Sequence, residues 1–204
     1  MAQDTQAALA APTPRPAALP ASEPSGRASF RLLAAVFLIT ASGLMFELTL
    51  TRIFSATIWY HYTFVAISVA LFGWGLGGFI VFLTGLGRVR TLHTQILVAL
   101  SLLLALALPL FPYGIIQYPF TPERLNYYFV LSLLPFLIGG AMLSLAFESR
   151  GMDSNRLYFA DLIGAATGVA LVPAALSLLG AETAVLAIAL LPAAAAMLLS
   201  FDLR

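Results

Sequence analysis

"RLLAAVFLITASGLMFELTLTRIFSA", residues 31–56, carries only two charged side chains after its opening arginine, Glu47 and Arg52. A helix rises about 1.5 Å per residue, so about 20 apolar residues cross the hydrocarbon core of a bilayer. A stretch this long and this oily reads as a membrane-spanning helix. Five more follow, over residues 63–84, 92–111, 126–147, 157–179 and 182–200. Composition agrees, with 61% of the chain hydrophobic and 9% charged. A soluble domain carries about a quarter charged residues and uses them to make its surface. The expected fold is an all-α integral membrane protein with six transmembrane helices.

Residues 1–29 differ in kind. They hold five prolines among Ala, Ser, Gln and Thr and show no sustained apolar period, which predicts a disordered tail. Their first basic residue is Arg15, and no short apolar core follows a basic start, so they do not read as a signal peptide. Residues 30–204 are the expected transmembrane domain.

All ten basic residues are arginine, and their placement sets an orientation. With a cytoplasmic N-terminus, Arg15, Arg27, Arg31, Arg88, Arg90, Arg150, Arg156 and Arg204 fall inside, and only Arg52 and Arg124 fall outside. That is the positive-inside pattern, with both termini cytoplasmic. Trp59, Tyr60, Tyr62, Tyr113, Tyr118, Tyr127 and Tyr128 then gather on the two longer outer loops or their helix ends. They read either as an aromatic belt at headgroup depth or as a docking surface for a partner. The loop "FPYGIIQYPFTPE" (111–123) is proline-rich and is expected to be irregular.

Ionisable side chains at membrane depth are costly, and they are usually paired or functional. Counting from Arg31 puts Glu47 at about 24 Å and Arg52 at about 31 Å along the helix. Arg52 therefore reaches the outer interface, whereas Glu47 lies a turn or more inside it. Their i, i+5 spacing sets them about 140° apart on an ideal helix, so Glu47 needs a group from another helix, a proton or a place in the bundle interior. Asp161 lies toward the cytoplasmic end of the fifth span, where helix capping or pairing with Arg156, Arg150 or Arg31 would account for it. Glu47 and Asp161 fall in opposite leaflets and are not expected to share a site.

"GWGLGG" (73–78) and "GAATG" (164–168) interrupt the second and fifth spans. The first is not a dinucleotide fingerprint, because its spacing is wrong and no strand precedes it. Gly73/Gly77 and Gly164/Gly168 are G-x-x-x-G pairs, which let helix backbones approach closely. The other reading is a local break that exposes carbonyls to a ligand. Pro135, Pro173 and Pro192 are expected to kink the fourth, fifth and sixth spans. Three spans per half would place the halves in opposite orientations. The first span ends "MFELTLTR" and the fourth "AFESR", and a glycine-bearing helix follows each, which suggests a 3+3 inverted repeat.

Net charge is +1, which offers no basic patch for nucleic acid. The absence of cysteine excludes disulfides and thiolate ligands. His61 and His93 belong to opposite sides, and no metal or cofactor motif is recognisable, so no cofactor is assigned.

Three stretches together carry a resemblance: "SGLMFELTLTRIFS", "FVAISVALFGWGLGGFI" and "LYFADLIGAATGVALVPAALSLLG". They resemble the membrane domain of bacterial multi-spanning, spermidine-synthase-like proteins. The family features would fall on Glu47, Thr51 and Arg52; on Gly73, Gly75, Gly77 and Gly78; and on Tyr158, Asp161, Gly164 and Ala165. The resemblance implies a multi-pass protein of the bacterial cytoplasmic (inner) membrane. It covers most of residues 35–200, and nothing there could form the family's soluble aminopropyltransferase-like domain, so that activity is not expected of these residues. The leading expectation is a non-catalytic membrane module that anchors or assembles with another membrane or cytoplasmic protein, surrounded by membrane lipids. The alternatives are a small transporter or lipid-phase ligand binder using Glu47, and the membrane half of a split spermidine-synthase-like enzyme.

Overall fold

A computed structural model describes residues 26–57, 63–88, 92–118, 121–149 and 153–203. Residues 1–25 of the expected tail (1–29), together with Trp59, Tyr60, His61 and Tyr62, lie outside the described residues. The described chain folds into α1 (Gly26–Thr57), α2 (Thr63–Thr84), α3 (His93–Gln117), α4 (Leu125–Phe147), α5 (Ser154–Leu179), α6 (Ala181–Ile188) and α7 (Leu190–Ser200). Short 3-10 turns cover Leu86–Arg88, Pro122–Arg124 and Phe201–Leu203. Six spans are long and apolar enough to cross a membrane, the sixth being Ala181–Leu203. The chain is a multi-pass membrane protein, and its described residues form helices and short turns with no strand.

Three features differ from the sequence reading. Helix α1 begins at Gly26, so residues 26–29, expected to belong to the disordered tail, continue the first span as helix. Residues 111–117 belong to α3 although Pro109 and Pro112 lie within it. A proline removes one backbone hydrogen bond, which a packed membrane helix tolerates. Here Phe111, Pro112 and Gly114 are all buried, and Leu131 and Tyr127 of α4 close over Gly114. The sixth span, in turn, is not one helix, because it breaks at Ala189. Pro192 has no N–H for the carbonyl of Ile188, and its ring crowds that carbonyl. The ladder resumes with Ala193 N–H donating to the Ala189 carbonyl at 3.4 Å. Pro135 and Pro173, by contrast, leave α4 and α5 continuous.

Helix α1 is the centre of the bundle and packs on α2, α4, α5, α6 and α7. The closest pairs are α2 with α4 and α1 with α5. Glycines set both. A Cβ on Gly164 would lie 2.5 Å from the Phe37 carbonyl oxygen, and one on Gly168 would lie 2.6 Å from that of Ala41. Gly73 and Gly77 meet Phe136, Leu137 and Ala141 of α4 in the same way. With no side chain between them, the backbones approach to van der Waals distance, which is how membrane helices gain contact without a hydrophobic driving force.

Exchanging the first three spans for the last three maps the α2–α4 pair onto α5–α1 and the α1 contact with the sixth span onto α4–α3. The α1–α4 contact and the α3 contact with the sixth span map onto themselves. The α1–α2 and α5–α6 contacts have no counterpart of similar extent. Between the pairs lies an aromatic core. Phe46 of α1 meets Phe111 edge-on at 5.7 Å and Phe136 at 5.2 Å, and Phe54 meets Phe111 at 6.0 Å.

Candidate functional site

The hydroxyls of the opening stretch fold back on their own helix. Ser42 donates to the Ile39 carbonyl, Thr49 to Met45 and Thr51 to Leu48, each at 2.7 Å. A hydroxyl one turn from a carbonyl satisfies itself in this way and leaves the helix unbroken. Thr40 goes further. Its hydroxyl lies 3.0 Å from the Val36 carbonyl and 2.7 Å from Oδ1 of Asp161 on α5.

That contact settles where Asp161 sits. It lies about two turns into α5, because the helix starts at Ser154. The N-cap is Asp153, whose side chain accepts from the Asn155 N–H at 3.0 Å. Arg31, one of the expected partners, instead binds Asp202 at 2.5 Å and lies over the Phe201 ring at 5.4 Å. Arg31–Asp202 is the one ion pair among the described residues. It ties the start of α1 to the turn that ends the sixth span. Arg150 lies outside the described residues.

Glu47 follows one turn after Gly43, on the same side of α1. A Cβ on Gly43 would run into the Trp74 ring, and that ring also covers Gly139. Gly140 meets the Trp74 backbone. Trp74 thus fills a notch cut by glycines on two helices, with Phe136 at 6.5 Å. Glu47 is half-buried beside this junction and makes no hydrogen bond or ion pair among the described residues. Sequence reasoning passed over Trp74, Gly43, Gly139 and Gly140. The available signal was a tryptophan set between glycines, whose partners lie on other helices.

At the Arg52 end, α1, α3, α5 and α6 leave a cleft of about 490 Å³. Its lining includes Arg52, Ser55 and Glu182, over a floor with Ile53, Ile115 and Leu176. Arg52 and Glu182 are both exposed and form no ion pair with each other. A second groove of about 440 Å³ lies between α1 and α5 at the other end, lined by Phe30, Leu33, Phe37 and Phe159 with Arg156 beside them.

The aromatic residues divide. Tyr113, Tyr118 and Tyr127 are exposed. Tyr128 is not part of that surface, since it is only 2% exposed. Its ring is turned inward by α4, and its hydroxyl donates to the Tyr118 carbonyl at the end of α3. The Arg124 guanidinium lies over Tyr118 at 5.5 Å. His93 approaches the Leu145 carbonyl at 3.1 Å. Among the described residues no three His, Asp or Glu side chains gather to hold a metal ion. No family model, curated protein or solved structure matches the chain.

Proposed function

We propose that this chain is a non-catalytic membrane module that assembles with a membrane-spanning helix of a partner protein. The observation that carries this reading is the two-sidedness of α5. Its buried stripe is narrow, Leu157, Gly164, Gly168 and Val172, and it seats the helix on α1. The opposite side carries a second small-residue row, Ala166, Ala170 and Ala174, and all three are exposed. Rows of small residues four apart are what close helix association in a membrane uses. The aromatic side chains at Tyr113, Tyr118 and Tyr127 supply rim contacts at one end.

The reading is tested by purification in mild detergent with and without Ala170→Leu. The wild-type chain is expected to bring down one partner in fixed stoichiometry, and the leucine variant to lose it while remaining folded. A stable monomer in the wild-type preparation, or a partner retained by the variant, overturns the proposal.

Two further features belong to the same picture. The arginine distribution supports a cytoplasmic position for both termini, and the resemblance to spermidine-synthase-like membrane domains supports the inner membrane of a bacterium. The interchange of helix pairs supports an inverted repeat of spans 1–3 and 4–6.

A second reading rests on Glu47. A half-buried carboxylate without a bond among the described residues is the default mark of a transport or ligand site in a membrane. In that case Glu47→Gln abolishes uptake or binding in reconstituted vesicles while insertion is unchanged. Unaltered transport in the variant removes this reading.

A further inference from the structure

The cleft at the Arg52 end holds a cation and an anion that face one space without closing on each other. Arg52 stands near the end of the first span, Phe30–Ala56, and Glu182 near the start of the sixth, Ala181–Leu203. Both therefore lie at the depth where a helix leaves the hydrocarbon core. A bare ion pair would gain little at such an exposed position. Two charges of opposite sign that form no ion pair among the described residues match a ligand that carries both.

The chemistry of the lining narrows the ligand. A guanidinium presents a planar fork of donors that fits phosphate oxygens. The carboxylate accepts hydrogen bonds, which a primary ammonium can give and a quaternary one cannot. Quaternary ammonium groups are held by aromatic faces, and among the described residues none that lines the cleft is aromatic. Below the charges, Ile53, Ile115 and Leu176 offer an apolar floor. The volume, about 490 Å³, lies within the range of about 300–1,000 Å³ typical of small-molecule sites.

We propose that this cleft holds the headgroup of a phospholipid bearing a primary amine, with its phosphate on Arg52 and its ammonium on Glu182. The first methylenes of the acyl chains then lie on the apolar floor. This site goes beyond the module reading and does not depend on a protein partner, because α5's exposed alanine row is no part of it.

The test is a lipid titration of the delipidated full chain in detergent, read by native mass spectrometry. Short-chain phosphatidylethanolamine is expected to bind at least five-fold tighter than phosphatidylcholine or phosphatidylglycerol of the same length. Glu182→Gln is expected to erase that preference, weakening phosphatidylethanolamine but not phosphatidylglycerol, which brings no ammonium to that side chain. Arg52→Gln is expected to weaken all three lipids, and Arg52→Lys to restore part of the loss. Both side chains are exposed, so the variants should fold, and a thermal unfolding curve matching wild type checks that they do. Equal affinity for the three lipids, or a preference that survives Glu182→Gln, overturns the proposal. Free phosphoethanolamine is the remaining source of the same chemistry. It is expected not to compete, and displacement of the lipid at equal concentration overturns the lipid assignment.

Discussion

Thr40 gives one hydroxyl to two acceptors, its own helix at Val36 and the Asp161 carboxylate across the α1–α5 seam. The first bond is available to any membrane threonine, and the second holds two helices together. Hydrogen bonds between membrane helices contribute about 0.6 kcal/mol on average and up to about 1.7 kcal/mol. Thr40→Val keeps the shape and removes the donor, so it should lower stability within that range in a detergent unfolding titration. Asp161→Asn keeps an acceptor oxygen for the Thr40 hydroxyl and should cost less than Thr40→Val in the same titration. If Thr40→Val unfolds like wild type, the bond does not stabilise the seam. Asp161 was legible in the sequence as a costly group needing a partner. The partner was not, since a hydroxyl that bonds within its own helix looks self-sufficient until the neighbouring helix is placed beside it.

Helices α2 and α4 approach through backbone, and that makes their glycines unequal. A Cβ on Gly77 would run into the Leu137 carbonyl and lie 2.6 Å from the Ala141 nitrogen. Neither is the end of a flexible side chain, so α2 would have to move off α4. Gly75 lies between Gly73 and Gly77 in the same motif, yet nothing stands within 4 Å of a Cβ there. Gly77→Ala should therefore cost about 1–3 kcal/mol, the range for overpacking. Gly75→Ala should be neutral or stabilising by up to about 1 kcal/mol, because alanine is the better helix former. Equal unfolding midpoints for the two variants would show that close backbone approach is not what holds this pair. The glycine spacing made small residues on one helix face visible in the sequence. It did not say which of five other spans would lie there, because apolar neighbours in a membrane offer no charge or period to choose between them. The broken sixth span teaches the same lesson. Pro192 marked a kink, but Pro135 and Pro173 marked kinks equally well, and only the first interrupts its helix.

At the scale of the molecule, six apolar stretches were legible as spans, because hydrocarbon thickness sets the minimum helix length. Helix α1 nevertheless begins five residues earlier, at Gly26 rather than Arg31, and α3 ends six residues later, at Gln117 rather than Phe111, than the apolar pattern suggests. How those helices cross the membrane is carried by a weaker signal, the arginines between them. The absence of cysteine gives a clean way to read it. Any cysteine introduced into the full chain is its only thiol. Thr121 is exposed between α3 and α4, and Asp153 is exposed between α4 and α5, so a single span separates them. Pro112 and Ile115 of α3 line the Arg52 cleft, which places Thr121 at that end of the bundle. With the cytoplasmic side at Arg31, Thr121→Cys should react with a membrane-impermeant maleimide in intact cells, and Asp153→Cys only after lysis. The reverse pattern would invert the orientation and move the proposed lipid site to the cytoplasmic leaflet without altering its chemistry. Labelling of both from outside would contradict α4 as a span, and with it the alternation on which an inverted repeat depends. Thr121→Cys replaces an exposed polar side chain and should shift stability by no more than about 0.5 kcal/mol. Asp153→Cys also removes the α5 N-cap and should cost about 0.5–2 kcal/mol, so an unfolding curve for each variant shows that the labelling reports position rather than unfolding.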